Sequence, residues 1–310
     1  MSKKPLHITN GSVLTTQLKD LRFTGEILTW QEMLCEGPTI EKIDTPEFLE
    51  LRQNFFSSYY DIELNLDEIK IAFEKLETPE AYSEINLWFE YDLFCHMNLI
   101  GVIVLLQQKK FKAPIYVITS GRIRGSKNLK ALTELTDNQL FSHFDKKLKL
   151  TPKDIDMVLT IWAIYCGKDH NLLKPYIVTN STFKYLSNCL KAHLERFPST
   201  FTGLNRMESN ILSIVRDNPI KSRNHLLGYA LNYQGYYGYG DLQINRIVEK
   251  LSIFFNETKD EITLNRKGYE ALLGQHNFSA EINNNLPFGG LFKLDFQFNP
   301  QENKLIKTVS

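Results

Sequence analysis

The stretch SEINLWFEYDLFCHMN, residues 83–98, decides the fold of this chain. An apolar, strand-like run ends at Glu90 and Asp92, and an amphipathic apolar segment typical of a helix follows them. In an open α/β sheet, ligands bind in the crevice at the carboxyl ends of the strands. The stretch therefore predicts a strand, a site and a helix, in that order.

The sequence on either side repeats this alternation of short apolar runs and helical patterns. Strands separated by helices predict right-handed β-α-β units and a parallel sheet. We expect at least four strands, doubly wound in the Rossmann or flavodoxin manner, with both faces covered by helices. The predicted strands are residues 6–9, 26–30, 85–89 and 114–119.

The C-terminal part has a pattern of its own. Asn205 with Glu208 three residues later predicts a capped helix, a second helix follows at residues 223–232, and Asp241 suits the cap of a third. Two short runs, residues 252–255 and 261–264, then predict a hairpin before a closing helix. Three helices and a hairpin are typical of a winged helix. The predicted organisation is an α/β Rossmann-like domain at 1–128, a helical region at 129–202 whose residues 129–196 read as helical throughout, a winged-helix-like α+β domain at 203–275 and an unassigned tail at 276–310.

Composition excludes several classes of protein. The 310 residues include 36 basic and 36 acidic side chains, so the global charge indicates no partner. The N-terminal sequence lacks the pattern of a secretory signal, and no apolar run approaches the roughly 20 residues that span a bilayer. We therefore expect a cytoplasmic protein with no membrane partner. The four cysteines are scattered without a C-x-x-C pair, so we expect them to be reduced and mostly buried.

Glu90 and Asp92 are the first candidate site residues. Two carboxylates at a strand end can bind Mg²⁺ while substrate phosphates complete its coordination shell. The alternative is that they are solvated or capping acids, since Asp92 also suits the N-cap of the following helix. Cys95, close by, lacks the electropositive setting that a nucleophilic thiol needs, and His96 is more typical of a packed histidine.

Three glycine-containing segments are candidate ligand-binding loops. Asn10-Gly11-Ser12 ends the first strand, where glycine allows close backbone approach and a helix N-terminus attracts anions, although Ser12 could simply cap that helix. This segment lacks the G-x-G-x-x-G fingerprint and the Walker lysine, which argues against nicotinamide and ordinary ATP binding. Ser120-Gly121, with two nearby arginines, could wrap a phosphate or form a basic surface loop. Glu36-Gly37 could join Glu90 and Asp92 in one pocket or form a plain turn.

Seven strings, in order, resemble the bacterial family catalogued as domain of unknown function 1835, especially its full-length members with a winged-helix-like C-terminal half. The resemblance covers nearly the whole chain and implies relatives without implying a reaction. Relatives often have an acid at the position of Ser12, an arginine at Gln31 and a histidine at Tyr91, which implies altered or lost chemistry here if those positions carry it. The strings are LHITNG (6–11), GEILTWQEMLCEGPT (25–39), LWFEYDLFCHMNLI (87–100), ELTDNQL (134–140), LTPKDID (150–156), LKAHLERFPST (190–200) and GYYGYGDLQ (235–243).

Three functions from different classes remain open. We rank first a protein that binds a small anionic ligand and contacts nucleic acid or protein through its C-terminal module. Residues 203–274 contain nine basic and eight acidic side chains, which makes nucleic acid a weak partner unless the basic residues share one face. The second function is a metal-dependent enzyme of nucleotide or phosphate chemistry at the strand-end carboxylates. The third is a protein-interaction module without a ligand.

Overall fold

The computed structural model describes residues 3–123 and 125–308, a mixed α/β fold with one five-stranded sheet and 13 α-helices. The alternation of strands and helices in the first half follows the predicted pattern. The elements of this half are β1 (Lys4–Asn10), α1 (Ser12–Asp20), β2 (Glu26–Trp30), β3 (Gly37–Pro38), α2 (Pro46–Tyr60), α3 (Leu66–Glu74), β4 (Tyr82–Trp88), α4 (Leu93–Gln108), β5 (Ile115–Ile118), β6 (Gly121–Arg122), β7 (Leu129–Lys130), α5 (Asp137–Asp145) and β8 (Leu148–Lys149).

The second half is mainly helical and ends in short strands. Its elements are α6 (Pro152–Cys166), α7 (Lys174–Ile177), α8 (Leu186–Leu194), α9 (Arg206–Asp217), α10 (Arg223–Asn232), α11 (Asp241–Lys250), β9 (Phe255–Glu257), β10 (Ile262–Leu264), α12 (Arg266–Leu272), α13 (Ser279–Ile282), β11 (Pro287–Gly289), β12 (Leu291–Phe292), β13 (Phe296–Asn299) and β14 (Lys304–Lys307). No helix within the described residues combines the length and the apolar character that crossing a membrane requires.

The main sheet has the strand order β2-β1-β4-β5-β8. The pairs β1–β2, β1–β4 and β4–β5 are parallel, and β8 runs antiparallel to β5. All four predicted strands are thus confirmed as one parallel set. Because the chain places β2 on one side of β1 and β4 on the other, the crevice between the carboxyl ends of β1 and β4 is the topological switch point, where such sheets bind ligands.

Helices cover both faces of the sheet, as predicted. Leu87 belongs to the large apolar core that also contains α4, whereas its neighbour Trp88 packs with Ile118, Leu14 and Leu140 on the opposite face. This alternation is the two-residue period of a strand whose two faces are both buried. Helix α4 is apolar all round and not amphipathic as predicted, because protein encloses it, and it also packs against α6 and α8.

The prediction that residues 129–196 are helical throughout is wrong at β7 and β8. Leu148 of β8 pairs with Val117, so this two-residue strand adds to the sheet and covers the edge of β5. Leu129 of β7 pairs with Arg122 of β6. Strands of two residues are too short to show a period-two pattern, so the sequence around them reads as part of the neighbouring helices.

The C-terminal helices and hairpin lie close to their predicted positions. The backbone N–H of Glu208 donates to Asn205 Oδ1 at 2.8 Å, and Asn205 N–H donates to Glu208 Oε2 at 2.8 Å, which confirms the predicted capping box. Asp241 is not a cap, because Gly240 holds that position and Asp241 is the first helical residue. The hairpin begins at Phe255, later than predicted, because residues 251–254 form a 3₁₀ turn.

The tail, to which no structure was assigned, folds back on the first half of the chain. Phe288 of β11 pairs in parallel with Gly37 of β3, while β13 and β14 form a hairpin. Apolar residues from both halves, from Leu6 to Leu305, belong to one continuous core. The α/β part and the C-terminal part are therefore packed together.

Candidate functional site

Three side chains that can coordinate a metal meet at the carboxyl end of β4. One ligand atom each from Glu90, Asp92 and Cys95 lies within 4.8 Å of the other two. The Cys95 backbone N–H donates to Asp92 Oδ1 at 2.8 Å, so Asp92 is the N-cap of α4, as the sequence predicts. Glu90 Oε1 accepts a hydrogen bond from the Leu132 N–H at 2.9 Å. Asp92 therefore combines a capping role with a place in the cluster.

The carboxyl groups of this cluster carry uncompensated negative charge. Burial and the neighbouring Asp92 carboxylate raise the pKa of Glu90 to about 7. Burial raises the pKa of Asp92 to about 6, against the opposing effect of the Cys95 backbone hydrogen bond. Within the described residues, no basic side chain is among the main contributions to either pKa. A bound cation would supply the missing positive charge.

An amide network joins this cluster to the end of β1. Asn10 Nδ2 donates to Cys95 Sγ at 3.1 Å, and Asn98 Nδ2 donates to Asn10 Oδ1 at 2.8 Å. Asn98 Nδ2 also contacts the Glu32 carbonyl, which follows β2. Polar groups from the ends of three neighbouring strands thus meet at the switch point, and the candidate ligand-binding residue Asn10 contacts Cys95 of the cluster.

Helix α1 begins at the same edge with an open N-terminus. Gly11 holds the N-cap position with φ +91°, its side chain position faces open space, and no side chain caps the helix. Ser12 is exposed and is the first helical residue, so the alternative that it caps α1 is wrong. The first N–H groups of a helix have no partner within it and carry its positive dipole end. This terminus can therefore accept an anion.

The N-terminus of α4, in contrast, is covered by the aromatic loop, residues 234–240. The Leu93 N–H donates to the Tyr236 carbonyl at 2.7 Å, and the Phe94 N–H donates to the Tyr237 carbonyl at 3.1 Å. Gly238 lies so close to Asp92 that a Cβ at this glycine would be 2.1 Å from Oδ1. The loop packs onto the α/β part and leaves α1 as the open helix terminus of the two.

Glu36 and Gly37 do not join the β4 carboxylates. The Glu36 side chain is buried, accepts a hydrogen bond from the Tyr60 hydroxyl and pairs with Arg246 Nη2 at 3.6 Å. Gly37 has φ +87°, and a Cβ there would lie 2.4 Å from Arg52 Nη1. The hypothesis that Glu36 shares a pocket with Glu90 is not supported, because Tyr60 and Arg246, which lie outside the Glu90 cluster, hold the Glu36 side chain.

Ser120 and Gly121 lie beside the site, after β5. The paired register of β4 and β5 ends at Trp88 and Ile118, and Glu90 and Ser120 each follow two residues beyond it. Ser120 is 4% exposed, and its Oγ has no hydrogen-bond partner among the described residues. Gly121 lies against the ring of Tyr185, which leaves no room for a side chain. Arg124, the second arginine of this loop, lies outside the described residues.

Cys95 is the site residue that sequence reasoning missed as a metal ligand. The one sequence feature that points to this role is the spacing of Asp92 and Cys95. They are three residues apart and thus share one side of the first turn of α4. Burial and the nearby carboxylates raise its pKa well above the usual range, which disfavours a free nucleophilic thiolate. His96 is buried, and desolvation lowers its pKa to about 4, as expected for a packed histidine.

The four cysteines are free thiols, three of them buried, as predicted. No family model matches this chain, and no curated protein matches it. The resemblance to the family of domain of unknown function 1835 therefore stays a prediction, and the functional argument depends on the geometry of the site.

Proposed function

We propose that this chain is a ligand-binding protein whose α/β part takes a small phosphorylated ligand at the switch point between β1 and β4. The open N-terminus of α1 carries this proposal. Its free N–H groups and Gly11 allow a phosphate to approach the backbone closely. Glu90 and Asp92 lie nearby, so a divalent cation can bridge the protein and the phosphate.

We propose that the C-terminal module is the part that contacts a partner. Its three helices and hairpin support a winged-helix-like assignment. Arg246 of the third helix points into the α/β part, where it pairs with Glu36. Four further basic residues of the module pair with acids, which reduces the charge available to neutralise nucleic-acid phosphates. We therefore favour a protein partner over a nucleic acid. The further pairs are Arg216–Asp217, Arg223–Glu257, Arg266–Glu270 and Lys267–Glu281.

A thermal-shift screen tests the ligand site. The parent protein is compared with Ser12→Asp and Thr16→Asp, against inorganic phosphate, nucleotides and sugar phosphates, with and without Mg²⁺. Both positions are exposed on α1, but only Ser12 lies at its N-terminus. A ligand at 100 times its Kd adds about 2.7 kcal/mol to the free energy of unfolding.

We expect the parent and Thr16→Asp to be stabilised equally by the same phosphate compound. Ser12→Asp should lose the effect, because its carboxylate repels the phosphate. A parent that no phosphate compound stabilises would contradict the proposal, as would a Ser12→Asp variant that keeps the full shift.

The second candidate function is a metal-assisted enzyme of phosphate chemistry. The Glu90 carboxyl group, with a pKa of about 7, is suited to proton transfer near neutral pH. Release of inorganic phosphate from compounds that stabilise the parent, and its loss in Glu90→Gln with binding retained, would favour an enzyme over a binding protein.

A further inference from the structure

We propose that Glu90, Asp92 and Cys95 hold a resident thiophilic divalent cation, with Zn²⁺ as the expected ion. The inference deepens the proposed function, since the cation would lie beside the phosphate subsite. Its test uses metal alone, so its outcome is independent of phosphate binding.

The three donors lie close enough together to serve a single ion. Their ligand atoms lie within 4.8 Å of one another. A tetrahedral Zn²⁺ with Zn–S of about 2.3 Å and Zn–O of about 2.0–2.2 Å places its ligand atoms about 3.5 Å apart. The donor atoms therefore need to approach one another by at most about 1.3 Å. Asp92 and Cys95 lie together at the first turn of α4, whereas Glu90 lies between β4 and α4. Glu90 is therefore the donor that the helix itself does not position.

The polar side chains around the cluster support a ligand there. Asn98 fixes the Asn10 amide by donating to its oxygen, so that the Asn10 N–H group points at Cys95 Sγ. Such outer contacts orient and stabilise metal-bound thiolates. Ser120, two residues beyond the adjacent strand β5, adds a buried hydroxyl without a hydrogen-bond partner among the described residues. Buried polar groups are nearly always satisfied, so this hydroxyl is consistent with a missing ligand or bound water.

The donor set selects the kind of metal. Mg²⁺ prefers six oxygen ligands in octahedral geometry, whereas a thiolate with two carboxylates suits Zn²⁺ and related transition metals. Gly238 packs directly on Asp92, so the aromatic loop covers one side of the cluster and limits the number of waters around an ion. A metal held beneath this loop would tie the C-terminal module to the α/β part.

Cobalt(II) titration of the metal-free full-length chain tests the proposal. Co²⁺ replaces Zn²⁺ in tetrahedral sites and gives a sulfur-to-cobalt charge-transfer band only when a thiolate binds it. The variants are Cys95→Ser and, as a matched control, Cys166→Ser, whose thiol lies beside Thr39 outside the cluster. We expect the band in the parent and in Cys166→Ser, its loss in Cys95→Ser, and its displacement by Zn²⁺ but not by an equal concentration of Mg²⁺.

X-ray absorption spectra of the zinc-loaded parent provide a test that needs no variant. We expect one sulfur at about 2.3 Å and oxygen ligands at about 2.0–2.2 Å from the metal. A shell without sulfur, a cobalt band that survives in Cys95→Ser, or a folded parent that gives no band would each overturn the proposal. A phosphate-dependent thermal shift could still occur in any of these cases, so the two proposals fail separately.

Discussion

The Arg196 guanidinium donates a hydrogen bond to His193 Nδ1, and this contact sets the protonation of a buried histidine pair. Because Arg196 is only a donor, His193 Nδ1 must be unprotonated and its proton lies on Nε2. His193 Nε2 then donates to His170 Nδ1 at 2.8 Å, and His170 Nε2 donates to the Tyr165 carbonyl at 2.8 Å. Both histidines are therefore neutral in the folded protein.

This pair should make the fold sensitive to acid. Burial lowers the pKa of His170 to about 4 and that of His193 well below its usual value of 6.5. Between these values the unfolded chain binds more protons than the folded one, so stability falls as the pH falls from about 6.5 towards 4. The loss should be on the order of 1–3 kcal/mol, since each pKa unit is worth about 1.4 kcal/mol.

Urea unfolding between pH 8 and pH 5 measures this loss. His193→Gln keeps an acceptor for Arg196 and a donor for His170 but cannot take up a proton, so its stability should depend less on pH. His276→Gln, at an exposed histidine, is the control and should follow the parent. An unchanged pH dependence in a folded His193→Gln would show that the histidine pair is not responsible.

A second prediction concerns the buried ion pair between Lys293 and Glu208. Lys293 Nζ lies 2.6 Å from Glu208 Oε1, and both side chains are nearly inaccessible to solvent. Lys293→Met leaves the Glu208 charge buried and unpaired, which should cost about 3–5 kcal/mol in chemical denaturation. The exposed pair of Lys267 with Glu281 is the control, where Lys267→Met should cost less than about 1 kcal/mol. Equal losses in the two variants would contradict the argument.

The contact between the aromatic loop and α4 gives the third prediction. Gly235 and Gly238 have φ of +70° and +69°, but a Cβ at Gly235 meets nothing within 4 Å, whereas one at Gly238 collides with Asp92. Gly→Ala carries the same backbone strain at both positions, so the extra loss in Gly238→Ala measures the contact with Asp92. We expect this extra loss to be about 1–3 kcal/mol in thermal unfolding. Equal Tm values for the two variants would mean that the loop does not press on Asp92 in solution.

Features encoded by neighbouring residues could be predicted from the sequence, whereas those that join distant segments could not. Asp92 caps α4 and Asn205 pairs with Glu208, because each of these contacts spans only three residues. Nothing near Glu36 indicates that its partner is Arg246 from the other end of the chain. The pairing of Phe288 with Gly37 was missed for the same reason, since such short strands have no period of their own.

The candidate site follows the same rule. Glu90 and Asp92 could be proposed because a strand end is recognisable in one sequence, and the place of Asn10 beside the cluster follows from parallel pairing of β1 and β4. The role of Cys95 depends on where the Asn10 amide points, and that orientation is set by Asn98 from another part of the structure.

The uncompensated charge at Glu90 gives the last prediction. In metal-free protein at pH 8, Glu90→Gln removes a half-buried carboxylate that Asp92 repels, while the amide oxygen can still accept from the Leu132 N–H. The variant should therefore be more stable than the parent, by on the order of 1–3 kcal/mol, because each unit of the raised pKa is worth about 1.4 kcal/mol. Glu50→Gln, at an exposed carboxylate of α2 away from the cluster, should show no gain. Differential scanning calorimetry with a chelator present provides the comparison, and a Glu90→Gln variant less stable than the parent would mean that the ionised carboxylate already has a compensating partner.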